Sequence, residues 1–266
     1  MEGLSDDHHS KPRCLFNLSE LLESLGNFAE QKRLLTRVLE IEKERGDDNR
    51  VACTLRRLSN ANRLLYLDEE GIRRSKEALE IYERLHDSEG QAKCWDALGW
   101  SLLYDDQLGP AEEAGSQAIK LFLDQGREYW VCRSHGLLGE IYRAKGERGN
   151  AIQHLEAAIG IASTFDWHDH LFWDHHSLSV LYLDEEKWDN AQSHIERAKS
   201  HAVDDARRLG CAMDQQANIW YQQGRLEEGK AEALRAIETF EKLGATADLS
   251  VSRTILQKIE RAIERR

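Results

Sequence analysis

Residues 95–119 read WDALGWSLLYDDQLGPAEEAGSQAI, and residues 137–159 read LLGEIYRAKGERGNAIQHLEAAI. Leu98-Gly99 returns as Leu138-Gly139, Ala111 as Ala151 and Ala118-Ile119 as Ala158-Ile159, each 40 residues on. The same beat extends both ways. Val38-Leu39 and Ala78-Leu79 come before, Ala198-Lys199 and Ala236-Ile237 after, with the last step 38 rather than 40. Twenty residues ahead of each lies a companion pair: Leu18-Ser19, Leu58-Ser59, Leu98-Gly99, Leu138-Gly139, Leu178-Ser179 and Gln216-Ala217. A fixed period of this length marks a repeat architecture, each unit carrying two helices with one tight-packing position apiece.

Composition agrees. Two prolines in 266 residues, with abundant Ala, Leu, Glu and Arg, favour helix and leave few strand signals. The expected fold is all-α, a right-handed α-solenoid of about six 40-residue helical hairpins. The repeats fall at 13–48, 49–88, 89–127, 128–167, 168–206 and 207–246. Residues 1–12 are expected to be a flexible tail. Residues 247–266 should form a capping helix, with Leu249, Leu256, Ile259 and Ile263 on one stripe.

Lys and Arg total 36 against 48 Asp and Glu, a formal charge of −12, which opposes general attraction to nucleic acid or anionic membrane. No apolar run approaches the roughly 20 residues of a membrane span, and the N-terminal MEGLSDDHHSKPR lacks the form of a signal peptide. The five cysteines make no C-x-x-C pair, as expected of reduced thiols in the cytoplasm. No G-x-S-x-G, H-E-x-x-H or dinucleotide-binding pattern occurs, so no catalytic residue and no cofactor are assigned. Gly224-x4-Gly229-Lys230 imitates a phosphate loop, but Ala231 replaces the Ser or Thr that would reach Mg²⁺ and no strand precedes it.

Trp95-x2-Leu98-Gly99-x2-Leu102 with Ala111 and Ala118, and Leu138-Gly139-x2-Tyr142 with Gly146, Ala151 and Ala158, resemble the signature of the tetratricopeptide (TPR) repeat. At 40 residues the repeat is longer than the family's usual ~34. The texture of the whole chain resembles the C-terminal TPR arms that follow NACHT or NB-ARC modules in basidiomycete NLR-like (STAND) proteins. LRRLSNANRLLYLDEEGIRRSKEALEIYERLHDSEGQ at 55–91 and ASTFDWHDHLFWDHHSLSVLYLDEEKWDNAQSHIERAKSHA at 162–202 carry that likeness. It implies a non-enzymatic scaffold, the sensor arm of an immune or allorecognition system, whose first helices line a binding groove.

Counting one turn either side of each small packing residue places Arg56, Asn60 and Arg63 of repeat two, and Lys93, Asp96 and Trp100 of repeat three, on that inner wall. Arg133, Glu140 and Arg143 follow in repeat four, Trp173 and His176 in repeat five, Asp214, Asn218 and Tyr221 in repeat six. Arg56-x3-Asn60 resembles the basic-plus-asparagine pair of peptide-clamping TPR proteins. The expected partner is an extended, acidic protein or peptide segment along repeats two to four, with Trp100 as apolar anchor. The competing reading has these arginines neutralised by Asp96, Glu140 and neighbouring acids.

FDWHDHLFWDHHSLSV at 165–180 holds four His, three Asp and two Trp. A metal centre needs three or four converging donors, and candidates such as His170 with Asp174, at i and i+4, offer only two on one face. The stretch is therefore read as packing, with no metal site assigned. A second functional class, a small-molecule or metal-ion sensor, would use its His/Trp-rich wall.

Overall fold

The computed structural model describes residues 6–265. Thirteen α-helices occupy them: α1 (Asp6–Ser24), α2 (Phe28–Arg45), α3 (Asp48–Leu64), α4 (Asp68–Arg84), α5 (Ser88–Tyr104), α6 (Leu108–Asp124), α7 (Glu128–Ala144), α8 (Arg148–Thr164), α9 (His168–Asp184), α10 (Trp188–Ser200), α11 (Ala206–Gln222), α12 (Leu226–Leu243) and α13 (Thr246–Glu264). Among the described residues there is no strand. Of the expected tail, residues 1–5 lie outside the described part. Helix α1 begins at Asp6, inside that tail, and carries Pro12 within it.

The chain divides into two compact units, one up to Arg127 and the other from Glu128. In the first, α1 to α6 pack in sequence order and the first helices α3 and α5 lie side by side. In the second, α7 to α13 do likewise, with α7 against α9, α9 against α11 and α11 against α13. Each unit is thus a stack of antiparallel helical hairpins.

Helix ends keep the period visible. Gly26, Gly46, Tyr66, His86, Asp106, Gly126, Gly146, Asp166 and Glu186 all have positive φ, one every twenty residues, followed by Gly224 and Gly244. Glycine visits this region freely, whereas Tyr, His, Asp and Glu occupy it at a cost of roughly 1 kcal/mol each. The shortened 38-residue step has a structural counterpart: α10 has 13 residues where its neighbours have 17. Asp47, Asp87 and Asp205 cap the helices that follow, their carboxylates accepting the N–H of Arg50, Gly90 and Arg208 at 2.9–3.1 Å.

The small positions are tight for a visible reason. A Cβ on Gly139 would stand 2.6 Å from Leu155 Cγ, and one on Gly210 would stand 2.5 Å from the Phe240 ring. The sequence of the false phosphate loop is explained in the same way. Gly224 turns the chain after α11 at φ +74°, and a Cβ on Gly229 would meet the Ala217 carbonyl at 3.2 Å. In α13 the fully buried face is Ser252, Ile255 and Ile259; Leu249, Leu256 and Ile263 pack beside it half-covered. No helix among the described residues is long and apolar enough to cross a membrane.

Candidate functional site

In the first unit, α3 and α5 bring Asn60, Arg63 and Trp100 together. Asn60 Nδ2 donates to Glu23 Oε1 of α1 at 2.9 Å, and its Oδ1 accepts from the Arg63 guanidinium at 2.8 Å. That guanidinium lies over two rings of α5, 5.4 Å from the Trp100 centroid and 4.9 Å from that of Tyr104. The result is one polar-aromatic wall crossing three helices, with both of Asn60's hydrogen-bonding capacities in use.

Arg56 behaves differently. It is half-buried and makes no hydrogen bond or ion pair with any described residue. Its charge acts on the Tyr82 hydroxyl and the Cys94 thiol, opposing the burial that pushes the thiol up to about 12. Its neighbour Arg57, not among the expected wall residues, binds Glu20, lies 3.7 Å from Glu23, and covers the Phe16 ring at 4.4 Å. Lys93 is held by Glu89 at 2.6 Å, and Asp96 is buried. The indole Nε1 of Trp100 is buried without a hydrogen-bond acceptor among the described residues. An indole N–H so placed ordinarily finds a partner, so it is an unsatisfied buried donor.

In the second unit, Arg143 pairs with Glu140 at 2.9 Å and lies 3.8 Å from Asp184. Burial holds the His176 imidazole down at about 4, so it is neutral at physiological pH; Glu140 and Arg143 act on it with opposite signs. Trp173 is 38% exposed, and Arg207 of α11 stands 6.0 Å from its ring while forming a two-pronged pair with Asp248 at 2.7 and 3.1 Å. Arg133 covers Trp130 at 5.6 Å. Asn218 is half-buried. Tyr221 lines a shallow depression with Lys258, Arg261 and Arg265 of the C-terminal segment, cations that the count along first helices did not include.

The histidines form pairs. His135 and His154 meet Nδ1 to Nδ1 at 3.0 Å, and Tyr142 stacks on His154. Forty residues on, His175 and His194 meet at 3.1 Å, and Tyr182 stacks on His194. In each pair one ring nitrogen donates and the other accepts. Burial pushes His135 and His175 down to about 4, each partner imidazole adding to the shift. His168 with His201, at 3.1 Å, is a third such pair on the surface.

Sequence reasoning missed these pairs, although a 19-residue spacing repeated 40 residues later was available to it. It also missed Arg57, Tyr104 and Arg207. Contacts between successive first helices fall either side of the 40-residue period: 36–38 apart in Glu20–Arg57, Glu23–Asn60, Ser179–Gln215 and Asp214–Ser252, and 41 or 42 apart in Arg207–Asp248 and Ser59–Ser101.

No curated protein matches the chain. Among solved structures, a Rap protein complexed with Competence and Sporulation Factor is similar with a TM-score of 0.71 and 14% identity, over 94% of this chain and 75% of that one. A Rap regulator of plasmid conjugation genes, in complex with a Phr peptide, is similar at TM-score 0.67 and 13% identity, over 99% and 80%. A STAND ATPase with a tetratricopeptide repeat sensor from Pyrococcus horikoshii is similar at TM-score 0.62 and 16% identity, over 96% of this chain but 39% of that one. At such identities the likeness establishes the fold. The tetratricopeptide repeat family model matches two segments of this all-α stack of helical hairpins, residues 12–45 and 133–165.

Proposed function

We propose that this protein is a non-enzymatic scaffold that recognises a protein or peptide segment, and that the wall formed by Arg56, Asn60, Arg63 and Trp100 is where the first unit holds it. The observation that carries the reading is the pair of unpartnered groups on that wall, the half-buried Arg56 guanidinium and the buried Trp100 indole N–H. Arg56 has no carboxylate partner among the described residues, and the Trp100 indole N–H has no acceptor. A guanidinium suits a ligand carboxylate and an indole donor suits a peptide carbonyl, so the two together favour an extended, acidic segment. The likeness to Rap proteins in complex with peptides supports the ligand class, and the likeness to a STAND sensor supports a role as the sensor arm of an NLR-like system. In the second unit, Arg143, Trp173 and His176 form a wall of their own on α7 and α9.

The test is binding of an array of extended peptides, acidic against charge-neutral, to the intact chain and to an Arg56→Glu, Arg63→Glu variant. The wild type should select acidic members and the variant should lose at least ~10-fold in affinity, on the order of 1.4 kcal/mol. Equal binding by both proteins would discard the wall as the ligand site.

A further inference from the structure

We infer that Cys132, His170 and Asp174 form a site for a divalent transition-metal ion, zinc being the natural occupant, inside the second unit. Cys132 lies on α7; His170 and Asp174 lie one turn apart on α9, and one donor atom from each falls within 4.8 Å of the other two. Cys132 is fully buried, and Asp174 and His170 are 5% and 9% exposed.

The second observation is independent of that clustering. Asp174 Oδ2 is buried and accepts no hydrogen bond from any described residue, and one oxygen of the same carboxylate belongs to the cluster. Space for this carboxyl is kept by a missing side chain: a Cβ on Gly136 would stand 2.9 Å from Asp174 Oδ1. The charges acting on Asp174 are acidic, Glu140 and Asp169, and with burial they raise its affinity for a proton. A buried carboxyl with acidic neighbours and no donor is satisfied either by a proton or by a cation.

The donor set selects among cations. Thiolate and imidazole exclude magnesium and calcium, which take oxygen ligands, and suit zinc. Charge balance agrees. One thiolate, one carboxylate and one neutral imidazole around a 2+ ion sum to zero, which a buried site tolerates. In the metal-free protein the Cys132 thiol donates to the Ala158 carbonyl at 3.3 Å. Binding breaks that hydrogen bond and releases the thiol proton, and the carboxyl proton if Asp174 carries one, to solvent as three metal–ligand bonds form. Zinc bonds of ~2.0–2.3 Å place tetrahedral donors about 3.5 Å apart, so the three side chains would draw in by roughly 1 Å, leaving a fourth position for water or a ligand atom.

Chelator-treated full-length protein, titrated with Zn²⁺ under native mass spectrometry and with Co²⁺ by absorption, tests this. One metal per chain and a thiolate-to-cobalt charge-transfer band are expected. Cys132→Ser should abolish the band. Asp174→Asn removes the buried charge while keeping the shape, so it should fold at least as well as wild type yet bind zinc at least ~10-fold more weakly. Failure of the wild type to take up either ion at micromolar concentration, or a cobalt spectrum without the thiolate band, would overturn the site. So would undiminished uptake in both variants, which would place the metal elsewhere, the His135–His154 and His175–His194 pairs being the alternative ligands.

Discussion

The two units share one backbone scheme and fill it with different chemistry. In the first, the buried polar groups are chiefly hydroxyls: Ser75 donates to Ser59 at 2.6 Å, Ser59 and Ser101 meet at 3.1 Å, and Thr54 donates to the buried Glu42 carboxylate at 2.7 Å. In the second, the buried and half-buried polar places hold His135, His154, His175, His194, Asp174 and Asp214, and burial lowers the pKa of His135, His175 and His194 and raises that of Asp174 and Asp214. Hydroxyl relays join hairpins whatever the pH. Paired imidazoles and buried carboxyls make the joint conditional on protons or on a metal.

The largest effect expected from this contrast belongs to Asp214. Its carboxyl is 7% exposed, Ser252 donates to Oδ2 at 2.7 Å, and burial raises its pKa to about 7. A raised carboxyl favours the folded state while it is protonated, so its share of stability is complete below the unfolded value near 4 and is lost as pH rises through 7. Asp214→Asn should therefore stabilise the protein at pH 8, by up to about 4 kcal/mol for a three-unit shift, and the gain should vanish near pH 4. Denaturant unfolding of both proteins at the two pH values measures this. A gain that does not depend on pH would show that folding leaves the pKa of this carboxyl unchanged.

Next comes His175, 6% exposed, whose sign is opposite. Its pKa falls from 6.5 to about 4, so the folded protein resists protonation that the unfolded chain accepts. Its share of stability is complete above pH 6.5 and declines toward pH 4, by about 3 kcal/mol over the interval. Side-chain NMR titration should find His175 and His135 neutral down to about pH 4. Titration near 6.5 would mean that the pairs open readily.

The smallest effect sharpens the comparison by staying indifferent to protons. His86 of the first unit is exposed and held at φ +53°. His86→Gly should raise stability by roughly 1 kcal/mol through relief of the left-handed backbone, equally at pH 5 and pH 8. Thermal melts at both values give the answer. A pH-dependent gain would mean that the imidazole, not the backbone, is responsible.

Much of the scaffold was legible before any coordinates. The 40-residue beat announced an all-α stack of helical hairpins, and its small position Gly139 sits at a close crossing. The wall was legible in part: Asn60, Arg63 and Trp100 do meet, because the counted turns select one helix face. Arg57 escaped that count because it stands one residue off the counted positions, and its partner Glu20 lies on another helix at an offset from the 40-residue period. The same offset hid the Cys132–His170–Asp174 cluster. His170 and Asp174 were visible as two donors on one face, while the third sits 38 residues before His170 on another helix.

What the amino-acid order determined by itself is the periodic part of this protein: helix lengths, turn positions, and the small residues at which backbones approach. Those follow from short-range geometry that repeats every turn of helix and every hairpin. Only the tertiary structure decided which side chains share an interior space, because that depends on the stagger between helices and on the room left by neighbours such as Gly136. A shift of one residue in that stagger would turn the Cys132 thiol away from the Asp174 carboxyl, and no helical period carries that information.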